Sequence, residues 1–267
     1  MILTISSLSD KVAGMTFHAW HTQYYGDRWE TLCASLQEER SPVPFRHGLL
    51  KPYYLDEASL EAARLLRAEP GEAILDLCAA PGGKSLVTAS ALAGSGSLTA
   101  NDRSSARRAR LRRVLDDHLP APLRSIVRIT SHDASRWGLH EQDAYDAVIL
   151  DAPCSSERHM LSHPKEFAKW SPSRSRRLAV QQYAMLASAL DAVRPGGRIL
   201  YCTCTVSPLE NDHVIAKLLT RRGDACIISP CDGMSWGEPT DHGWIILPDA
   251  AEGRGPMYTA CIRKVQR

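Results

Sequence analysis

The sequence predicts an α/β fold built on a mostly parallel sheet, and three observations lead there. From Ala73 onward, short apolar runs alternate with amphipathic stretches, the pattern of successive βαβ units. The first run, residues 73–77, passes through a turn containing Gly82 and Gly83 into a helical stretch. Two further apolar runs, 225–228 and 257–262, follow a later helix and suit an antiparallel edge, giving a seven-stranded sheet.

The parallel strands are expected over 73–77, 97–100, 126–130, 147–150 and 198–202, with helices near 84–92, 104–116, 173–193 and 208–221. Upstream, Asp56 opens a helix whose Ala58, Ala62, Leu65 and Leu66 share one face, and Pro70-Gly71 ends it. Nearer the start, Trp20, Tyr24, Tyr25 and Trp29 fall in a helix, followed by the turn-like Ser41-Pro42-Val43-Pro44. The expected division is a small helical N-terminal extension, residues 1–50, and a sheet domain, residues 51–267. The aromatics of the extension are expected to pack against the sheet domain rather than to stack on bases. The longest irregular stretch, 154–172, directly follows a strand. That puts it at the carboxyl edge of the sheet, where open α/β folds place their sites.

With 267 residues, 44% hydrophobic and 23% charged, the chain has the makeup of a folded protein rather than a disordered one. No apolar run is long enough to cross a bilayer, and the opening segment lacks the basic start and long apolar stretch of a secretory signal. A cytoplasmic location and no membrane partner are therefore the expectation. Cysteines stand at 33, 78, 154, 202, 204, 226, 231 and 261, without zinc-site spacings or the density of a disulfide scaffold. Reduced thiols and no metal follow. The net charge of +2 hides uneven placement: Arg103, Arg107, Arg108, Arg110, Arg112 and Arg113 crowd one stretch, and Arg174, Arg176 and Arg177 another. Either cluster suits a phosphate backbone, or is a solvated helix face partly balanced by Asp102, Asp116 and Asp117.

The strand–turn–helix around Gly82 and Gly83 has the form of a nucleotide-binding loop, because glycine admits close approach and helix amides face an anion. Asp102 ends the next strand, where a carboxylate accepts hydrogen bonds from both hydroxyls of a ribose. Asp133, after the third strand, is placed to reach an adenine. An adenosine cofactor fits this spacing; a nicotinamide dinucleotide fits it too, although the loop is not GxGxxG, and a purely structural turn would also explain two glycines.

Two cysteines, Cys154 and Cys204, end the fourth and fifth strands beside that loop. A buried free cysteine is ordinarily a small apolar side chain, and Cys33, Cys226, Cys231 and Cys261 are read so. A thiol at the cofactor edge has a chemical use. Carbon 5 of cytosine is a poor nucleophile, and a thiolate adding to carbon 6 makes it an enamine able to attack an electrophilic methyl. A carboxyl group at N3 favours that addition, and Asp151 is the candidate. Removal of the carbon 5 proton then lets the thiol leave, a release that a second cysteine can assist. Cys202, two residues from Cys204 on the same strand face, is read as structural.

At these residues the sequence resembles the NSUN (Nop/Sun, RsmB-like) family of RNA cytosine-5 methyltransferases. The resemblance is carried by Cys78-Ala-Ala-Pro-Gly-Gly-Lys84, Asn101-Asp-Arg-Ser-Ser-Ala-Arg107, Asp151-Ala-Pro-Cys154 and Tyr201-Cys-Thr-Cys204-Thr, in that order, over the chain from about Tyr53 onward. It implies a Rossmann-like class I methyltransferase domain binding S-adenosyl-L-methionine through Cys78, Ala79, Ala80, Pro81, Gly82, Gly83, Lys84, Asp102, Arg107, His132, Asp133 and Asp151. It implies Cys204 as nucleophile, Cys154 as the thiol of product release, and the methionine carboxylate as the anion at the glycine turn. Tyr25-Gly-Asp-Arg-Trp29, Thr130-Ser-His-Asp133 and Gly255-Pro-Met-Tyr258 are similar to segments of the family's mitochondrial ribosomal-RNA member, which implies ribosomal RNA or a ribosomal subunit as partner. Position 202 departs from the family, whose members usually carry serine there.

A cytosine must leave its stack to meet thiol and cofactor, so single-stranded or loop RNA is the expected substrate. Arg158, His159, His163, Lys165, Lys169 and Trp170 line the entrance in that reading, or belong to a solvated loop with one packed tryptophan. Arg46, His47 and Lys51 stand similarly. Alternatives of other kinds remain: a transfer-RNA methyltransferase, a ribosome-assembly factor that keeps the cofactor pocket without catalysis, or methylation of DNA or a small molecule.

Overall fold

The structure is a computed structural model that describes residues 15–229 and 234–266; Cys231 and the opening segment lie outside them. Nine strands form the main sheet in the order β5-β4-β3-β6-β7-β11-β10-β9, with β8 paired to β11. Five of them run parallel: β3 (Ala73–Asp76), β4 (Ser97–Asn101), β5 (Val127–Thr130), β6 (Tyr145–Asp151) and β7 (Val193–Thr203). β8 (Cys226–Ile228), β9 (Glu238–Pro239), β10 (Trp244–Ile246) and β11 (Met257–Lys264) make the antiparallel edge. The expected seven strands are all present; β9 and β10 are additions too short to leave a periodic pattern in the sequence. A separate hairpin, β1 (Val43–Phe45) with β2 (Tyr53–Leu55), forms where a turn was expected.

Alternation along the strands splits the core into two layers. Leu75, Val148, Leu150, Ile199 and Tyr201 face α9 (Pro172–Ala192) and α10 (Asp212–Arg222). Ile74, Ala147, Ile149, Leu200 and Cys202 face the opposite layer. There lie α3 (Glu57–Arg64), α4 (Gly83–Leu92) and α5 (Ser105–His118). The expected N-terminal helix is two, α1 (Phe17–Tyr25) and α2 (Arg28–Gln37), because Gly26 takes a positive φ of 55° and its N–H closes back onto Thr22 O. Phe17, Trp29, Leu32, Cys33 and Leu36 from these helices join the first core layer. Their aromatics are packed, as expected. The 154–172 stretch carries two short helices, α7 (Glu157–Leu161) and α8 (Pro164–Phe167), and a short α6 (Ala121–Ser125) precedes β5.

The strand order reverses direction between β3 and β6, so the segments following those two strands diverge and leave a crevice at the carboxyl edge.

Candidate active site

A cavity of about 260 Å³ opens beyond β3, β4 and β5. Of the expected cofactor residues it is lined by Cys78, Asp102, Arg107, His132 and Asp133, and α9 adds Gln181 and Met185, which the sequence did not single out. The turn before α4 depends on Gly82: its φ is 123°, and a Cβ there would lie 3.0 Å from Val114. Asp102 is buried; Oδ1 accepts from Ser104 N at 2.9 Å, while Oδ2 has no hydrogen-bond partner and stands 3.4 Å from Arg107 Nε. Arg107 also donates to Ala80 O at 2.6 Å, tying α5 to the glycine turn. An unspent buried carboxylate oxygen facing a cleft of this size fits the hydroxyls of a ribose.

Asp133 and His132 line the same cavity and are held by local hydrogen bonds. Asp133 Oδ1 accepts from Ser135 N at 3.0 Å and Ser135 Oγ at 2.7 Å, and Arg103 lies 3.1 Å from its other oxygen. The Ser135 bonds, helped by Arg103, hold its pKa below the usual carboxylate range. His132 donates its backbone N–H to Asn101 Oδ1 at 2.8 Å. Buried Asn101 also accepts from Thr130 Oγ1 and donates to Leu77 O and His132 O, so one amide stitches the ends of β3, β4 and β5 together. Its only signal in the sequence is its place at the head of the Asn101–Arg107 motif.

A smaller cavity, about 100 Å³, collects Cys78, Ala79, Ala80, Pro81, Gly83, Lys84 and Asp151, with Tyr53, Ser59 and Asp76. Lys84 is buried, its Nζ 2.8 Å from Asp151 Oδ2 and 2.7 Å from Ser59 Oγ. Burial works against its charge, but Asp151 outweighs burial and the pKa rises. Lys84 therefore orients Asp151. Burial pushes Asp76 up to about 7 even though Ser85 Oγ donates to it at 2.7 Å.

β6 and β7 are neighbours in register, Asp151 opposite Cys202, so the turns that follow them bring Cys154 and Cys204 together. Their sulfurs are 3.1 Å apart. Ser156 Oγ lies 3.0 Å from the Cys204 sulfur and 3.3 Å from that of Cys154, and Cys204 N donates to the Cys154 sulfur at 3.3 Å. Ser156 itself holds a left-handed φ of 54°, which a serine adopts rarely. The hydrogen bond from Cys154 lowers the Cys204 pKa against the opposing effect of burial; the same contact, with burial, raises Cys154. The pair is thus asymmetric, with the thiolate form favoured at Cys204 and disfavoured at Cys154. Cys202 is fully buried in the second core layer. Cys33, Cys78, Cys154, Cys202, Cys204 and Cys226 are free, whereas Cys261 is disulfide-bonded, which corrects the reduced-thiol expectation at that position.

Among the residues expected to line an RNA entrance, two turn inward. Arg158 donates to Glu38 O at 2.9 Å and to Gly253 O at 2.8 Å, and Trp170 packs edge-on against Phe17. His159, His163, Lys165 and Lys169 remain exposed. So do Arg110, Arg112 and Arg113 of α5, whose side chains form no ion pair or hydrogen bond among the described residues. Lys51 pairs with Asp117 at 3.3 Å, and Arg46 and His47 are exposed.

A switch-point cleft with a glycine turn on one side and a strand-end thiol pair on the other places the chain in the Rossmann-like methyltransferase class. Solved structures agree on the fold: a methyltransferase homolog protein from Pyrococcus horikoshii superposes with a TM-score of 0.74 at 21% identity, covering 98% of this chain and 100% of that one. Residues 63–262 match the 16S rRNA methyltransferase RsmB/F family, and the chain belongs to that family. It is 44% identical over 231 residues to the 5-cytosine rRNA methyltransferase NSUN4 of Bos taurus, covering 79% of this chain and 59% of the relative. It is 36% identical over 230 residues to the mitochondrial tRNA (cytosine(34)-C(5))-methyltransferase of Mus musculus, covering 81% and 65%. The chain thus spans less than two thirds of the length of these relatives. The comparisons overturn the cytoplasmic expectation: a relative at 36% identity is named as mitochondrial. The expectation had rested on the absence of a secretory signal, which does not distinguish these two compartments.

Proposed function

We propose that the protein transfers a methyl group from S-adenosyl-L-methionine to carbon 5 of a cytosine in RNA, with Cys204 as nucleophile, and that ribosomal RNA is the substrate. The observation that carries this reading is the sulfur pair, 3.1 Å apart at the cofactor edge, with Cys204 lowered and Cys154 raised. A cofactor pocket kept only for binding has no need of two matched thiols there.

S-adenosyl-L-methionine, when bound, supplies the electrophilic sulfonium methyl. Asp102 would hold its ribose, Gly82 and Gly83 would admit its methionine end, and the Asp133 side of the cavity would take the adenine. Cys204 adds to carbon 6 of the cytosine and so raises the electron density at carbon 5. Asp151, oriented by Lys84, addresses the N3 edge of the base. Carbon 5 then takes the methyl with release of S-adenosylhomocysteine, and a base removes the carbon 5 proton. The carbon 5–carbon 6 double bond re-forms as the Cys204–carbon 6 bond breaks, and Cys154 assists this departure of the Cys204 thiolate. The exposed arginines of α5 meet the RNA backbone.

The test is transfer of labelled methyl from S-adenosyl-L-methionine to RNA by the purified protein, with nucleoside mass spectrometry of the product. The expected product is 5-methylcytosine, formed on ribosomal RNA or an assembled subunit in preference to transfer RNA. Absence of product on all three overturns the reading. Preference for transfer RNA moves the substrate to that of the tRNA-directed relative. A Cys204→Ala variant that keeps the full biological effect would favour a non-catalytic assembly role.

A further inference from the structure

Glu157 and Glu210 are fully buried carboxylates that touch neither cavity. Burying such groups is costly unless their oxygens are bonded, and here they are bonded in a crossed pattern. Glu210 lies on the segment after the Cys204 turn, yet it bonds the Cys154 turn. Its Oε2 accepts from Ser155 N at 2.9 Å and from Gln182 Nε2 at 3.0 Å, and its Oε1 accepts from Ser155 Oγ. Glu157 lies on the segment after Cys154, yet it bonds the Cys204 turn. Its oxygens accept from Thr205 Oγ1 at 2.8 Å and from Val206 N at 3.1 Å.

Each carboxylate is thus carried by one thiol's segment and grips the residues directly after the other thiol. We propose that Glu157 and Glu210 are positioning residues, a crossed clasp that sets the contact between the Cys154 and Cys204 sulfurs, and that helices α1 and α2 brace it from behind. The brace has two members. Tyr25 Oη donates to Val206 O at 2.6 Å. His21, fully buried and stacked on Trp29 with ring centroids 4.4 Å apart, stands with Nε2 3.8 Å from Glu157 Oε1. The N-terminal helices therefore hold the thiol site in addition to filling the core.

A purely structural role for the two carboxylates predicts lost stability and unchanged thiols. The clasp predicts a thiol that changes character, because Cys204 owes its lowered pKa first to the Cys154 contact. The other groups acting on Cys204 are Ser156, which with Lys84 lowers it, and Asp151, which raises it. The proposal deepens the methyl-transfer reading and rests on it for its biological meaning, but the thiol measurement needs no RNA.

The experiment follows alkylation of Cys204 by iodoacetamide across pH, read by peptide mass spectrometry, in the full chain and in Glu157→Gln, Glu157→Ala, Glu210→Gln, Glu210→Ala and Tyr25→Phe. Affinity for S-adenosylhomocysteine by calorimetry checks that the cleft is intact. The alanine variants are expected to move the Cys204 profile upward by about one pH unit, slowing alkylation near neutral pH roughly tenfold, with cofactor affinity retained. The glutamine variants are expected to recover part of the shift, and Tyr25→Phe, which deletes one hydrogen bond and no volume, to move it less. If alanine variants unfold, the glutamine and phenylalanine variants decide. Unchanged profiles across every folded variant overturn the clasp. A shifted profile in a protein that methylates no RNA keeps the clasp and removes the methyl-transfer reading.

Discussion

The cofactor cleft and the thiol pair share one sheet edge and are built in opposite ways. In the cleft, each strand contributes the few residues that follow it, and one buried acceptor, Asp102 Oδ2, is left without a hydrogen bond. In the thiol site, side chains cross between segments 48 to 55 positions apart, and Glu157 and Glu210 commit both oxygens inside the protein. The difference separates holding a ligand from fixing the contact between two thiols. A ligand site keeps bonding capacity open for its guest, whereas a positioning site consumes it to fix a geometry.

The largest expected effect divides the two regions outright. Cys204→Ala should lower methyl transfer by on the order of 10⁴-fold or more while leaving S-adenosylhomocysteine affinity unchanged. Cys154→Ala should permit attack and slow release, leaving RNA covalently attached to the protein on a denaturing gel. An adduct that accumulates in Cys204→Ala instead would exchange the two roles.

The pH dependence of stability comes next, because each region hides one carboxyl group pushed up to about 7 by burial, Asp76 beneath the cleft and Glu210 in the clasp. A carboxyl raised above its unfolded value adds stability that is full below about pH 4.5 and is lost as pH rises through about 7. For Glu210 the loss is at most about 3 kcal/mol. Melting temperature should therefore fall between about pH 5 and pH 8, with a flatter fall in Glu210→Gln than in the native chain. Equal slopes in the two proteins would show that Glu210 ionises without cost.

How legible each region was in the sequence follows from the same contrast. Gly82 and Asp102 announced themselves because a cofactor loop needs those residue types at fixed distances from apolar runs, whereas Arg107 was marked only by the family resemblance. The seven expected strands were readable for the same local reason. Glu157 and Glu210 left no such trace, since their partners are backbone amides and hydroxyls brought close only by the pairing of β6 with β7. Arg158 and Trp170 carried two readings in the sequence, an RNA entrance or a loop with one packed tryptophan, and α7 and the turn before α9 direct both side chains into the protein. β9 and β10 have no period to detect at two and three residues.

Asp102→Asn should mirror the nucleophile variants at smaller scale. Losing charge-assisted hydrogen bonds to a ribose weakens S-adenosylhomocysteine binding roughly 10- to 100-fold. Alkylation of Cys204 should keep its native rate and pH profile, because Asp102 bonds Ser104 and faces Arg107 rather than the thiol turns. A changed thiol profile would mean that cleft and clasp are one mechanical unit.

The smallest effect concerns a third surface that belongs to neither region. Arg112 and Arg113 are exposed on α5 and unpaired among the described residues, on a helix whose buried Leu111 and Leu115 face the core. Contacts to a phosphate backbone release counterions, so each one lost flattens the dependence of log affinity on log salt by about 0.7 for single-stranded RNA. The double substitution Arg112→Ala with Arg113→Ala should therefore reduce that slope by about 1.4 and weaken binding similarly for different RNA sequences. Cofactor affinity and Cys204 alkylation should stay native, because both depend on short contacts at the sheet edge. An unchanged salt slope would return these arginines to the role of a solvated helix face and place the RNA path on the exposed His159, His163, Lys165 and Lys169 side instead.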